Sequence, residues 1–395
     1  MPTDPKIILV GGQDVDARLG LMHYLKETYS MSAFGSQATL HEKFQSEGFD
    51  YTKYTLAGGV KPILDLFTLG QLFLIFRRLK PQIVHAFDTK PCVWARLAAR
   101  LAGVPGIIGT LPGLGSLYIN DTITRRLLRS IYQWLQRLAC HFSNLTVFQN
   151  HDDANYFIEI GIVSPQKVVV IPGSGVDTEV FSPSQVPQEK KTQLKREMGI
   201  GSDEIVVTMI SRIIRSKGIL EFIAATQNIN KYYPNVRFLL IGSEDKNSLD
   251  RLSTEELTQL KQAVTWPGPS QDIPAILALS DIFVLPSAYR EGIPRVLLEA
   301  ASMGLPIVTT DSPGCREVVE NGVNGFLVPV HDSVALSQAI LRLVEQTDLR
   351  KNFGQLSRQR AVERFDLSVI AKQTRAVYQQ VLSLQTSSNS RAIPE

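Results

Sequence analysis

Cysteine is scarce in this chain of 395 residues: Cys92, Cys140 and Cys315 are odd in number, far apart and in no C-x-x-C spacing. That argues against a disulfide framework or a structural zinc site and for a reducing compartment. Long apolar runs are lacking too. The longest candidate, Leu66 to Phe76, is broken by Thr68, Gly70 and Gln71 and falls short of the roughly 20 residues that cross a bilayer. Met1-Pro2-Thr3-Asp4 leads directly into a strand-like segment, so no signal peptide is expected. The chain therefore reads as cytoplasmic, at most peripheral on the inner face of a membrane. A net charge of only +3 gives no ground for a nucleic-acid partner.

What is present is an ordinary globular composition, 44% hydrophobic and 20% charged, in a chain long enough for two cores. Apolar strand-like runs alternate with helical stretches, the pattern of α/β doubly wound parallel sheets. The strands are predicted at Lys6–Gly11, Ile83–Phe87, Gly106–Thr110, Leu145–Gln149 and Lys167–Ile171. In the second half they are predicted at Glu204–Ile210, Val236–Gly242, Val264–Trp266, Asp281–Leu285, Pro306–Thr310 and Phe326–Val328. Residues 182–191, rich in Pro and Ser and without periodicity, read as a linker between a domain 1–181 and a domain 192–365. The polar residues 386–395 read as a disordered tail.

The most informative segment runs from Glu291 to Pro329. Pro294 and Gly304 bracket a predicted helix from Arg295 to Met303, so its unpaired backbone N–H groups point at whatever lies in front of Gly292. Glu291 stands at that mouth and Glu299 about two turns along. Positive backbone beside two hydroxyl-accepting carboxylates suits a sugar attached to a phosphate. The loop after the predicted strand Glu204–Ile210 carries Arg212 and Lys217 at the C-terminal edge of a sheet, where open α/β sheets bind ligands. Such a basic pair neutralises a diphosphate.

Arg212 with Lys217, Glu291 with Glu299, and the N-G-x-x-G run Asn321 to Gly325, in that order, resemble retaining GT-B glycosyltransferases of the fourth family. Gly109 to Gly115, Val147 to Asn150 and Gly173 to Asp177 are similar to a bacterial subgroup that extends sugars on polyprenyl diphosphate, often with N-acetylgalactosamine. The resemblance implies two Rossmann-like domains facing across a cleft, with a helix at 366–385 crossing back onto the first. It implies a nucleotide-sugar donor, most simply UDP-linked, a polyprenyl-diphosphate glycan acceptor and no cofactor. Arg212 and Lys217 would hold the donor diphosphate, Glu299 the ribose, and Glu291 a hexose hydroxyl. Gly292, Ile293 and Pro294 would supply backbone donors, Ser270 would lie near the base, and Gly12 would approach the phosphates. Lys90, Thr110 and Gly113 are the acceptor-side candidates, and His85 is a candidate catalytic residue at a strand end. One departure stands out: Thr110-Leu111-Pro112-Gly113 falls where many relatives carry a histidine. A front-face mechanism survives that change, because the leaving phosphate itself takes the acceptor's proton. A soluble acceptor, or a UDP-sugar epimerase on the same fold, stays open.

Asp14-Val15-Asp16 invites a metal reading, but aspartates before a helix cap it and complement its dipole, and no metal is assigned. The charge distribution is uneven, with eleven Lys/Arg against three Asp/Glu in residues 61–150. Within it, residues 121–142 place Ile123, Leu127, Leu128, Ile131, Trp134, Leu135, Leu138 and Phe142 on one arc and Arg125, Arg126, Arg129 and Arg137 opposite. This face either packs on its own sheet or lies on an anionic membrane surface. Leu66–Phe76 followed by Arg77, Arg78 and Lys80 forms a second basic-apolar patch.

Overall fold

The computed structural model describes residues 4–118 and 122–390. The chain divides into two compact units, 1–174 with 367–395, and 175–366. The first carries a seven-stranded sheet built from β1 (Lys6–Val10), β2 (Ser30–Gly35), β3 (Asp50–Lys53), β4 (Ile83–Phe87), β5 (Gly106–Leu111), β6 (Leu145–Phe148) and β7 (Val168–Val170). Their order is β3-β2-β1-β4-β5-β6-β7, and every pairing is parallel. Parallel neighbours need crossover helices, so both faces are covered and the strands are apolar on both sides. Ile8 and Val10 join one core with Val84, Ala86 and Phe76, while Ile7 and Leu9 join the opposite core with Ile83, Ile108 and Tyr378.

The second unit holds β8 (Ile205–Ile210), β9 (Val236–Ile241), β10 (Thr265–Gly268), β11 (Ile282–Leu285), β12 (Ile307–Thr310) and β13 (Gly325–Val328). Their order is β10-β9-β8-β11-β12-β13, again all parallel. In each unit the order reverses once, between β1 and β4 and between β8 and β11. Loops leaving the strand ends on either side of such a reversal diverge and leave room for a ligand.

The chain departs from its sequence-based reading in several places. β2 and β3 are additional strands. Residues 182–191 are no free linker: they lie inside the second unit, where Pro183–Gln185 forms a 3-10 turn and Gln188 opens the helix Gln188–Glu197. Ser302 Oγ donates to the Phe181 carbonyl (2.7 Å), and Arg358 Nη1 donates to the same oxygen (2.8 Å), which holds this stretch in place. The C-terminal helix is Leu367–Ser390, longer than expected, and packs on the first unit through Ile370, Val377, Tyr378 and Val381. Residues 391–395 of the expected tail and Asp121 lie outside the described residues.

Candidate active site

The helix Arg295–Ser302 starts where its signals place it: Pro294 is extended at the N-cap, and Gly304 takes φ 72° beyond the last turn. Glu291 precedes it on the loop leaving β11. Lys217 ends the loop leaving β8, in a 3-10 turn before the helix Ile219–Asn230. β8 and β11 are neighbours, so the sheet brings together residues 74 positions apart: Lys217 Nζ donates to Glu291 Oε1. The lysine side chain is 11% exposed and the glutamate 25%. Lys217 also lies 5.3 Å from the centre of the Tyr289 ring, a cation–π contact.

Two glycines permit this approach. A Cβ at Gly218 (φ 82°) would stand 2.1 Å from the Pro286 carbonyl oxygen, and one at Gly314 (φ 82°) 1.4 Å from that of Gly292. A side chain at Gly218 would force the loops carrying Lys217 and Glu291 apart, and one at Gly314 would push the Glu291 loop away from the turn that follows β12. The Ala288 amide donates to the Ser216 carbonyl (2.8 Å), which ties the two loops together directly.

Glu299 sits on the helix with its side chain 14% exposed. Burial raises its carboxyl above the ordinary range, and Arg295, at 3.7 Å, opposes that shift. Gly292, Ile293 and Pro294 are buried between Glu291 and the helix. Arg212 takes a separate partner: its Nη1 donates to Asp245 Oδ2 (2.9 Å), with the arginine side chain 53% exposed. The two cations predicted as a pair are thus engaged by different carboxylates. Ser270 follows β10, its Oγ accepting from the Asp272 amide (3.1 Å) ahead of the helix Ile273–Ala278.

In the first unit the predicted residues separate. The Gly12 amide donates to Asp88 Oδ2 (2.8 Å), so the glycine loop is closed by the residue after β4. Asp88 itself takes φ 68°, a left-handed conformation that Asp tolerates better than most residues. His85, the candidate catalytic residue, is held at both ring nitrogens. It is 2% exposed, with Nδ1 bonded to the Tyr378 hydroxyl (2.8 Å) and Nε2 to Thr110 Oγ1 (2.7 Å). Burial, aided by Arg18 and Arg96, holds its imidazole down to about 3, so it is neutral at pH 7. Thr110 is consumed in the same network, at 6% exposure. Lys90 pairs with Asp65 (2.6 Å) and donates to the Ala57 carbonyl (2.8 Å). Gly113 follows β5 with φ 119°. Asp16 pairs with Lys43 (2.6 Å), and Asp14 occupies the N-cap position of the 3-10 turn Val15–Arg18.

Asp245, Tyr289 and Gly314 were not legible as site residues. Gly314 had a faint signal, the Pro-Gly turn before a helical run, whereas Asp245 and Tyr289 lie in polar loops with no pattern.

Two doubly wound units, the second with a lysine–glutamate pair at its reversal point and a half-buried glutamate on the adjoining helix, define a glycosyltransferase of the GT-B class. The chain belongs to that family: residues 190–360 match Glycosyl transferases group 1 and residues 34–180 match Glycosyltransferase Family 4. It is 31% identical over 293 residues to the Escherichia coli UDP-Gal:alpha-D-GlcNAc-diphosphoundecaprenol alpha-1,3-galactosyltransferase, covering 74% of this chain and 73% of that one. It is 29% identical over 346 residues to the Campylobacter jejuni N,N'-diacetylbacillosaminyl-diphospho-undecaprenol alpha-1,3-N-acetylgalactosaminyltransferase, covering 86% and 88%. In fold it is similar to Anabaena HepE, solved in complex with UDP, at TM-score 0.76 and 21% identity over 94% of this chain and 99% of that one.

Proposed function

We propose that this enzyme moves a hexose or N-acetylhexosamine from a UDP-sugar, with retention and without a metal, onto a sugar carried on polyprenyl diphosphate. The observation that carries the donor side is the Lys217–Glu291 pair ahead of the helix that carries Glu299. In this reading the donor diphosphate draws Lys217 and Arg212 from their carboxylates, and the two cations stabilise charge on the leaving phosphate. Released from Lys217, Glu291 accepts a hydrogen bond from a sugar hydroxyl. Glu299 accepts from the ribose, Gly292, Ile293 and Pro294 offer backbone to the sugar, Ser270 lies toward the base, and Gly12 toward the phosphates. Only interactions that strengthen as the leaving group departs raise the rate. The lysine and arginine therefore matter most for turnover. With His85 buried, the proton of the attacking hydroxyl passes to the departing phosphate oxygen.

The acceptor reading rests on the names of the two bacterial relatives, both of which include a diphosphoundecaprenol-linked sugar. The surface of the first unit supports it. On the helix Ile123–Phe142 the buried residues are Tyr132, Gln136, Ala139 and Cys140, while Ile123 (87%), Leu127 (63%) and Trp134 (60%) are exposed. Much of the predicted apolar arc is thus turned to solvent beside a cationic face, as an anionic membrane surface requires.

The test is transfer from a panel of radiolabelled UDP-sugars to an undecaprenyl-diphosphate monosaccharide in mixed micelles with chelator, the product's anomeric configuration being read by NMR. A retained-configuration disaccharide is expected. Transfer to soluble sugars alone, or donor consumption with no acceptor present, would replace this reading by a soluble-acceptor transferase or an epimerase.

A further inference from the structure

Arg215 stands between Arg212 and Lys217 and would read as a third cation of the donor loop. The structure gives it other partners. Glu256 clasps its guanidinium at two points: Nε donates to Oε1 (3.0 Å) and Nη2 to Oε2 (2.7 Å). Nη1 donates to the Arg251 carbonyl (2.8 Å). Two-point pairing of this kind fixes orientation as well as adding attraction. Glu256 is itself fixed, because it closes the capping box of the helix Thr254–Ala263. Its Oε2 accepts from the Ser253 amide (2.6 Å), and its own amide donates to Ser253 Oγ (3.2 Å).

The segment anchored in this way meets the turn that delivers Lys217. The 3-10 turn Arg215–Lys217 is bonded through the Lys217 amide to the Ile214 carbonyl (3.2 Å) and the Gly218 amide to the Arg215 carbonyl (2.8 Å). The first two amides of so short a turn have no acceptor within it. Both end on Asp250: the Arg215 amide donates to its carbonyl (2.9 Å) and the Ser216 amide to its Oδ2 (2.7 Å). Ile214 and Arg251 form a β-bridge alongside. The Ser216 carbonyl accepts from the Ala288 amide, on the loop that leads to Glu291. Ser216 is thus held through both its amide and its carbonyl, and Lys217 follows it directly.

We propose that Asp250 is a positioning residue for the transfer: its carbonyl and carboxylate seat the turn beneath Lys217, while the Arg215–Glu256 clasp holds the Asp250 segment and binds no phosphate. The inference rests on Lys217 as a ligand of the donor diphosphate and adds what places it. Lysine carries a point charge on a flexible four-carbon stem, so its reach is defined only where the backbone beneath it is fixed. A bond from a backbone amide to a carboxylate is stronger than one to a neutral acceptor, which suits Asp250 to that task. The loop between β9 and the helix Thr254–Ala263 therefore serves both donor-side cations, pairing with Arg212 through Asp245 and seating Lys217 through Asp250.

The test is calorimetric binding of UDP to the full chain and its variants. Asp250→Ala should weaken UDP about tenfold, the loss of one charge-assisted hydrogen bond from a misplaced lysine. Asp250→Asn keeps an oxygen for the Ser216 amide and should recover most of that loss. Because Asp250 acts through Lys217, adding Asp250→Ala to Lys217→Met should weaken UDP no further. Glu256→Gln loosens the clasp and should weaken UDP about threefold. Were Arg215 a phosphate ligand latched by Glu256, the same change would free it and tighten UDP instead. Glu256 is partly exposed, so its variant decides the matter if Asp250→Ala fails to fold. Unaltered affinity in Asp250→Ala, no recovery in Asp250→Asn, an equal loss in the Lys217→Met background, or tighter binding in Glu256→Gln would overturn the assignment. If Lys217→Met itself leaves UDP affinity unaltered, the donor reading falls and this inference with it. If Lys217→Met weakens UDP and Asp250→Ala does not, the positioning role alone falls.

Discussion

Replacing Glu291 by Gln should tighten UDP and slow transfer, a combination that a purely structural ion pair would not give. Lys217 and Glu291 form a close pair with side chains 11% and 25% exposed. At an effective dielectric near 20 and ~4 Å, two unit charges attract by about 4 kcal/mol. Desolvation takes back most of that, leaving a net on the order of 1–2 kcal/mol. UDP must draw Lys217 out of this pair, so Glu291→Gln is expected to tighten UDP about 5- to 30-fold. A charge-assisted hydrogen bond to the sugar is worth roughly 1.5–3 kcal/mol, and its loss should lower kcat/KM about 10- to 100-fold. Calorimetry with UDP and steady-state rates with the UDP-sugar read the two effects separately. Lys217→Met should weaken UDP, and the double variant should match it, since the pair is already gone. Weaker UDP binding in Glu291→Gln with unchanged kcat/KM would refute both the competition and the sugar contact.

Glu299→Gln should leave the melting temperature unchanged or slightly higher, because burial already disfavours the carboxylate, while UDP affinity falls about tenfold; unaltered affinity by titration would remove the ribose assignment. Arg212→Ala should cost under about 1 kcal/mol in denaturant unfolding, since its pair with Asp245 is half exposed, yet weaken UDP about tenfold; an unfolded variant or unchanged UDP binding would count against a donor role. His85, held down to about 3 when folded, titrates near 6.5 in the unfolded chain. Its contribution is present above pH ~6.5 and is lost as pH falls, by about 1.4 kcal/mol per unit, or roughly 3 kcal/mol by pH 4.5. Urea unfolding of His85→Gln should show that much less acid sensitivity; parallel profiles would mean that the imidazole is not kept neutral. Leu127→Glu with Trp134→Glu should abolish co-sedimentation with anionic vesicles without altering UDP affinity, and retained binding would exclude the 123–142 helix as the contact.

Much of the fold was legible because parallel strands buried on both faces leave continuous apolar runs, as in Ile205–Ile210 and Ile282–Leu285. β2 and β3 left none. Ser-Met-Ser-Ala-Phe-Gly is interior but made largely of small residues, and Asp-Tyr-Thr-Lys is a four-residue edge strand. The 295–302 helix announced itself through Pro294 and Gly304, since capping chemistry is local. The chain's own pattern therefore determined the two doubly wound units, the helix that follows Glu291, and the amphipathic character of residues 123–142.

Partnership was decided only by the tertiary structure. Lys217 meets Glu291 because β8 and β11 adjoin, 74 residues apart, and Arg212 meets Asp245 through the loop beyond β9. His85, at a strand end, meets Tyr378 from 293 residues away, and Lys90 meets Asp65. Hydrophobic periodicity and caps act over a few residues, so a sequence displays them. Burial and charge pairing depend on which distant side chain the sheet order delivers, and no local pattern carries that information.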